Sequence, residues 1–399
     1  MTNKKRILRV AIATPLRRLF DYLPGEDAPT RYLPGMRVSV PFGKRKDVVG
    51  IIMSSVSKSE HPIEKLKKIH CLLDSAPVID QKHLDFITWA SRYYHYPIGE
   101  VIFNALPVLL RKNNPPSKTE NNCWQISELG KTTDPNEIKQ SPKQAQILNY
   151  LQQRSTAIGE AELKTAYSRP GPSLIALEKK GLVLRSKTKI DIDKAKVKKT
   201  KLKLNPEQDN AIKTVINNGL ESSVYLLDGI TGSGKTEVYM ALIEPVIQAG
   251  RQCLVLLPEI GLTPQLIARF RERFTTQIAI QHSALSNFER LQYWQQARTG
   301  KAKLILGTRS AVWTPLSNPG LYIIDEEHDP SYKQQDGFRY NARDMLISRA
   351  TRDKVNIILG SATPSLESLL NVKKQRYHHL HLTQRAGISK PPTFHLLDI

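Results

Sequence analysis

The stretch VYLLDGITGSGKTEVYMALIEPVI, residues 224–247, decides the fold. It opens on an apolar strand candidate, Val224–Asp228, and passes through Gly229-Ile-Thr-Gly-Ser-Gly-Lys235-Thr236. It closes on a helix-compatible run, so G-x-x-x-x-G-K-[ST] sits between a strand and a helix, the context the motif requires. Gly229, Gly232 and Gly234, with Thr231 and Ser233 between them, let the backbone curl so that successive N–H groups point at a phosphate. The helix start adds its positive dipole end. Lys235 is expected to reach the β- and γ-phosphates of ATP, and the Thr236 hydroxyl to hold Mg²⁺.

Outward from this stretch, four more apolar strand candidates follow: Cys253–Pro258, Lys303–Gly307, Leu321–Asp325 and Val355–Gly360. Helical patterns separate several of them, the signature of an α/β domain with a parallel sheet. Leu321-Tyr-Ile-Ile-Asp325-Glu326-Glu327-His328 delivers Asp325 to the carboxyl edge of that sheet, where such folds bind ligands. Asp325 is expected to hold Mg²⁺ opposite Thr236, and Glu326 to polarise the attacking water. The other strands end in Pro258-Glu-Ile-Gly-Leu-Thr-Pro-Gln265, Gly307-Thr-Arg-Ser310 and Gly360-Ser-Ala-Thr-Pro364, which the same edge would collect as sensor and track-binding elements.

The remainder reads as smaller modules. Residues 1–112 look β-rich: Met36–Phe42 alternates, Val48–Val56 is a second strand candidate, Pro-Gly and Pro-Phe-Gly steps supply turns, and His83–Tyr94 is helical. Residues 113–140, which include NNPPSKTENN, read as a linker. Within 141–186, Ser141-Pro142 starts a helix with Ile147, Leu148 and Leu151 on its apolar face. A second helix fits Gly159–Tyr167, a third Ser173–Lys180, and Gly181-Leu-Val-Leu a strand. That order fits a winged-helix domain, with a generic helical packing module as the alternative. Residues 187–203 form a basic linker, and 204–399 the ATP-binding lobe.

Composition sets the frame. The chain has 399 residues, enough for several domains. Lys plus Arg total 59 against 37 Asp plus Glu, a formal charge of +22. Such an excess points to a polyanionic partner, most often nucleic acid, or to a merely basic protein. Cys71, Cys123 and Cys253 lie far apart, with no C-x-x-C pair, and are expected as reduced thiols. No apolar run approaches the ~20 residues of a membrane helix, and the start lacks a signal-peptide core, so a cytoplasmic location and no membrane partner are expected.

From Leu204 onward the sequence resembles lobe 1 of superfamily 2 helicases, carried by GITGSGKT (229–236), PEIGLTPQ (258–265), GTRS (307–310), DEEH (325–328) and GSATP (360–364) in order. Within the superfamily it looks like the PriA family of replication-restart DNA helicases. GITGSGKTEVY (229–239), LPEIGLTPQ (257–265), RFRERF (269–274), IDEEHDPSYKQQDGFRYNARD (324–344), FDYLP (20–24) and VPFGK (40–44) carry that likeness.

The resemblance implies a RecA-like lobe using ATP and Mg²⁺, with Gln208 recognising adenine. It implies a DNA 3′-end pocket at Phe20, Asp21, Gly43 and Lys67. It also implies an aromatic-rich loop coupling DNA binding to hydrolysis, in which Tyr332, Phe338 and Tyr340 stack on exposed bases while Lys333, Arg339 and Arg343 meet phosphates. The function implied is 3′ to 5′ unwinding in replication restart. Stalled forks, branched and single-stranded DNA, a single-stranded-DNA-binding protein and primosome proteins are the implied partners. The family also carries a second RecA-like lobe, with its arginine, and a cysteine-rich zinc insertion, whose ligands do not occur here. On that ground weak nucleotide binding and poor hydrolysis are expected of this chain, leaving a fork-binding module, or a different superfamily 2 translocase, as alternatives.

Overall fold

The structure, a computed structural model, describes residues 6–25, 32–113, 122–135, 138, 141–153, 158–159, 163, 167, 170–187, 204–219 and 222–386. It divides into two compact units, one of Met1–Pro115 with Ala195–Ile399, the other of Pro116–Lys194.

The first unit begins with an antiparallel sheet. Strands β1 (Ile7–Ile12), β2 (Phe20–Tyr22), β3 (Arg37–Phe42), β4 (Arg45–Val56) and β5 (Cys71–Leu72) lie in the order β2-β1-β4-β3-β5. β3 and β4 form a hairpin whose pairing closes at Phe42 and Arg45, with Gly43 at φ +57° supplying the left-handed residue that a tight turn needs. Tyr22, Val38, Val40, Ile52 and Ile69 pack on one face of this sheet. Helix α1 (Gln81–Tyr93) follows, capped by the Asp80 carboxylate accepting from the His83 N–H, and then α2 (Ile98–Ala105). Gly99 lets α2 lie on β1, since a Cβ there would stand 1.7 Å from the Ile12 carbonyl oxygen.

The rest of this unit is a seven-stranded sheet, parallel at every pairing, in the order β11-β12-β10-β13-β14-β9-β15. Its strands are β9 (Val224–Gly229), β10 (Gln252–Leu256), β11 (Ile278–Gln281), β12 (Leu304–Gly307), β13 (Pro319–Ile324), β14 (Asn356–Ser361) and β15 (His378–Leu382). The five strands expected from the sequence are all present, and β11 and β15 extend the sheet at its two edges. Alternation divides the strand residues between two cores. Tyr225, Leu227, Val255 and Ile323 pack on one side. Leu226, Leu254, Tyr322 and Ile357 pack on the other, in one continuous core with Leu84, Phe86, Ile87, Val101 and Ile102 of α1 and α2. The segments expected as separate domains 1–112 and 204–399 thus share a core, because α1 and α2 carry more apolar surface than their own small sheet covers.

In the second unit β6 (Asn122–Ile126) lies between β7 (Ile158–Gly159) and β8 (Val183–Lys187). Helices α3 (Glu128–Thr132), α4 (Pro142–Gln152) and α5 (Gly171–Lys179) accompany this sheet. Trp124, Ile147, Leu148, Leu151, Leu174 and Leu177 form its core. This corrects the linker expected over 113–140: β6 is the central strand, and Ser127 caps α3 and donates to the Gly181 carbonyl at 2.6 Å. Of the helix expected over Gly159–Tyr167, Gly159 lies in β7, and of the rest only Leu163 and Tyr167 are among the described residues, so that expectation lies mostly outside them.

Candidate functional sites

Strand β9 hands the chain to a loop that turns into helix α7 (Lys235–Gln248). (Helix α6, Pro206–Asn217, precedes the sheet.) Gly232 and Gly234 take φ +79° and +82°, a conformation that side chains with a Cβ disfavour. The Lys235 ammonium donates to the Gly229 carbonyl at 2.8 Å, inside the curl, and lies 3.9 Å from the Glu326 carboxylate. Ser233 Oγ is buried with no hydrogen-bond partner among the described residues. A buried, unpartnered hydroxyl in such a loop suits a phosphate oxygen, and the donor set fits a nucleotide polyphosphate.

The end of β13 supplies the facing wall. Tyr239 on α7 donates its hydroxyl to Asp325 Oδ1 at 2.9 Å, and the Tyr332 hydroxyl donates to the Asp325 carbonyl at 2.6 Å. Burial raises the Asp325 carboxyl above its ordinary pKa, opposed by the Tyr239 hydrogen bond and the nearby Lys235 charge. Glu326 sits at φ +45°, a strained conformation for a residue other than glycine. The third carboxylate, Glu327, is buried and accepts from the Ser365 N–H at 2.7 Å, from the Ser365 and Ser368 hydroxyls, and from Arg343 Nη1 at 2.9 Å. His328 Nδ1 lies 2.7 Å from Ser361 Oγ, and its Nε2 lies 3.3 Å from Thr363 Oγ1. The acidic run after β13 is therefore wired to the Ser-Ala-Thr run after β14.

Some expected residues have other tasks. Gln208 is 2% exposed; its amide oxygen accepts from the Asn205 N–H and its amide nitrogen donates to the Ser233 carbonyl at 2.8 Å. It clamps the phosphate loop, where an adenine contact was expected. Tyr332, Phe338 and Tyr340 are 2%, 3% and 2% exposed, so they present no free face to a base. Phe338 packs against Tyr94, Tyr96, Trp313 and Tyr340, with ring centroids 5.0–5.9 Å apart. Arg343 is spent on Glu327, Asp344 and Ser365. Apolar rings close to a large core gain more from burial than from exposure, which corrects the stacking reading. Lys333 and Arg339 are exposed.

The small N-terminal sheet carries a separate cavity of about 540 Å³. Phe20, Asp21, Gly43 and Lys67, scattered in sequence, all line it, with Arg9, Arg18 and Lys65. Phe20 meets Phe42 edge-on at 4.9 Å, and the Arg18 guanidinium stands 5.2 Å over the Phe20 ring. Asp21 lies 3.7 Å from Arg9. The cavity thus combines an aromatic wall, several cations and two carboxylates, Asp21 and Glu60.

Sequence reasoning missed Tyr239 and Tyr94, and named Arg309 only within Gly307-Thr-Arg-Ser310. The Tyr94 hydroxyl accepts from the Asn341 N–H at 3.1 Å, and Arg309 holds the Ser331 and Lys333 carbonyls at 2.9 and 3.0 Å. Tyr239 had one available signal: it follows Thr236 by three residues, one helical turn, on the face toward β13.

Residues 9–107 match the family model of the PriA 3′DNA-binding domain (3′BD), and residues 205–372 match that of the DEAD/DEAH box helicases. The chain is 41% identical to the replication restart protein PriA of Haemophilus influenzae over 99% of its own length and 54% of that protein's. It is 30% identical to that of Bacillus subtilis, over 96% and 56%, and 30% identical to that of Chlamydia trachomatis, over 98% and 53%. The chain spans about half the length of the curated relatives it matches.

Proposed function

We propose that this chain, 41% identical to a PriA replication restart protein over 54% of that protein's length, belongs to the PriA family, recognises DNA at stalled replication forks and couples recognition to ATP hydrolysis. The observation that carries this reading is the facing of Lys235 and Glu326 at 3.9 Å, with Asp325 held beside them by Tyr239.

The chemistry follows from those positions. The loop N–H groups and Ser233 Oγ cradle the phosphates, and Lys235 moves from the Gly229 carbonyl to the β/γ oxygens. Thr236 and Asp325 would hold a magnesium ion, which would supply neutralisation of the phosphate charge. Glu326 accepts a proton from the attacking water. Any movement of Glu327 or His328 is felt at Ser361, Thr363 and Ser365, the route by which nucleotide state reaches the sheet edge.

The N-terminal cavity is read as a seat for a DNA 3′ end: Phe20 offers a base-stacking face, Arg18 and Lys67 meet phosphate, and Asp21 can accept from a terminal hydroxyl. The second unit is read as a winged helix, supported by a three-stranded sheet beside α4 and α5. Lys333 and Arg339 remain as exposed DNA-facing cations on the loop after β13. Unwinding from 3′ to 5′, a single-stranded-DNA-binding protein and primosome components are proposed from the family. Among the described residues no helix is long and apolar enough to cross a membrane.

The test is ATP hydrolysis with and without forked DNA. Stimulated turnover that Lys235→Ala lowers by at least ~10²-fold is expected, as is preference for a fork with an open 3′ end that Phe20→Ala removes. Fork binding without turnover would reduce the chain to a recognition module. Indifference to the 3′ end would reject the cavity assignment.

A further inference from the structure

Strand β15 carries His378-His-Leu-His-Leu382 along the edge of the parallel sheet. Period-two alternation buries Leu380 and Leu382 in the core beside β9, which fixes His379 and His381 on the opposite face. The register sets His381 beside Asp228, the β9 residue immediately before the phosphate loop. Both imidazoles converge on one carboxylate oxygen: His379 Nε2 lies 3.2 Å and His381 Nδ1 3.7 Å from Asp228 Oδ2. The ring centroids are 3.7 Å apart at 49°, and one donor atom from each of the three residues falls within 4.8 Å of the others.

We propose that Asp228, His379 and His381 bind one divalent cation of the zinc class, which staples edge strand β15 to β9 at the root of the phosphate loop. The donor set decides the metal. Two imidazoles and one carboxylate suit Zn²⁺, and Co²⁺ as its spectroscopic substitute, whereas Mg²⁺ prefers an all-oxygen shell. A pair of His–Asp hydrogen bonds is a poorer account, because the 3.7 Å contact is too long for one. A cation within bonding reach of all three donors would draw them together. Asp228 and His379 are half-buried and His381 is exposed, so the site has a protein wall and an open side for water ligands. It uses no cysteine and is distinct from the family's cysteine-rich zinc insertion.

The staple bears on the loop. Ile230 N–H donates to the Leu382 carbonyl at 3.2 Å, and Ala386 N–H donates to the Gly232 carbonyl at 2.9 Å. Thr383 and Gln384 bind Glu207 at the start of α6. The cation would fasten the strand from which the loop already hangs.

The test uses the full chain, stripped with a chelator and titrated with ZnCl₂ against a chromophoric competitor. One more Zn²⁺ bound per wild-type chain than per His381→Asn chain is expected, with affinity at the remaining donors at least ~tenfold weaker. His379→Asn should give the same loss. CoCl₂ should produce visible d–d bands in the wild type that either variant removes. Because His381 is exposed, its replacement leaves the fold intact, and far-ultraviolet dichroism checks this. Slower hydrogen exchange at the Ile230 amide on adding ZnCl₂ is the structural readout, independent of nucleotide turnover. Equal stoichiometry and affinity in wild type and both variants would overturn the proposal, as would no Zn²⁺ bound by the wild type.

Discussion

Asp325 illustrates a conflict between stability and chemistry within a single side chain. Its carboxyl pKa is raised chiefly by burial, so the ionised form that the proposed metal site would need costs the folded state free energy. For an acid with a raised folded pKa, the stabilising protonated form is present at low pH and is lost as pH rises through that value. At neutral pH, Asp325→Asn should therefore raise the melting temperature while lowering any Mg²⁺-dependent turnover; calorimetry beside a hydrolysis assay checks both halves. His83 on α1 has the opposite sign. Burial, with the charge of Arg349 adding to it, depresses its pKa to about 3. The unfolded chain then binds a proton that the fold refuses. Stability should drop by up to about 1.4 kcal/mol per pH unit as pH falls below about 6.5, and His83→Phe should flatten that limb of a urea-denaturation series.

At the scale of elements, motif-bearing strands were the easiest to read. β9, β10, β12, β13 and β14 are apolar runs ending at punctuated motifs, and a parallel sheet needs that pattern. β15 escaped because three of its five residues are histidines, tolerable only because it is an edge strand. β6 escaped because it follows a Pro-rich stretch, and its pairing with β7 and β8 joins residues far apart in sequence. At the proposed nucleotide site, residue types and spacing picked out Lys235, Asp325 and Glu326 as candidates, and the fold brings Lys235 and Glu326 within 3.9 Å, but spacing cannot reveal burial. Phe338 and Tyr340 look available for bases until Trp313 is packed against both, and Tyr94 and Tyr96, just after α1, against Phe338. The seam they form gives a direct prediction. Tyr94→Phe leaves the Asn341 N–H without its partner, costing about 1–2 kcal/mol. The Asn341 amide should then exchange roughly tenfold faster, while exchange at Lys235 is unchanged.

For the whole molecule, the excess of 59 basic over 37 acidic residues is a statement about partners. If phosphate contacts dominate, fork affinity should fall by about 10³-fold or more between 50 and 200 mM salt; a flat response in fluorescence anisotropy would refute the charge argument. The cavity, proposed as a 3′-end seat, would add selectivity that charge cannot, since an aromatic wall can stack on an unstacked end and not on duplex. The shared core of α1 and α2 with the parallel sheet also has a consequence for birth on the ribosome. Residues 84–102 emerge long before Leu226, Leu254 and Ile357, against which they pack. At about 5–20 residues per second, the nascent N-terminal segment waits tens of seconds with a greasy flank showing, a natural client for a chaperone during synthesis.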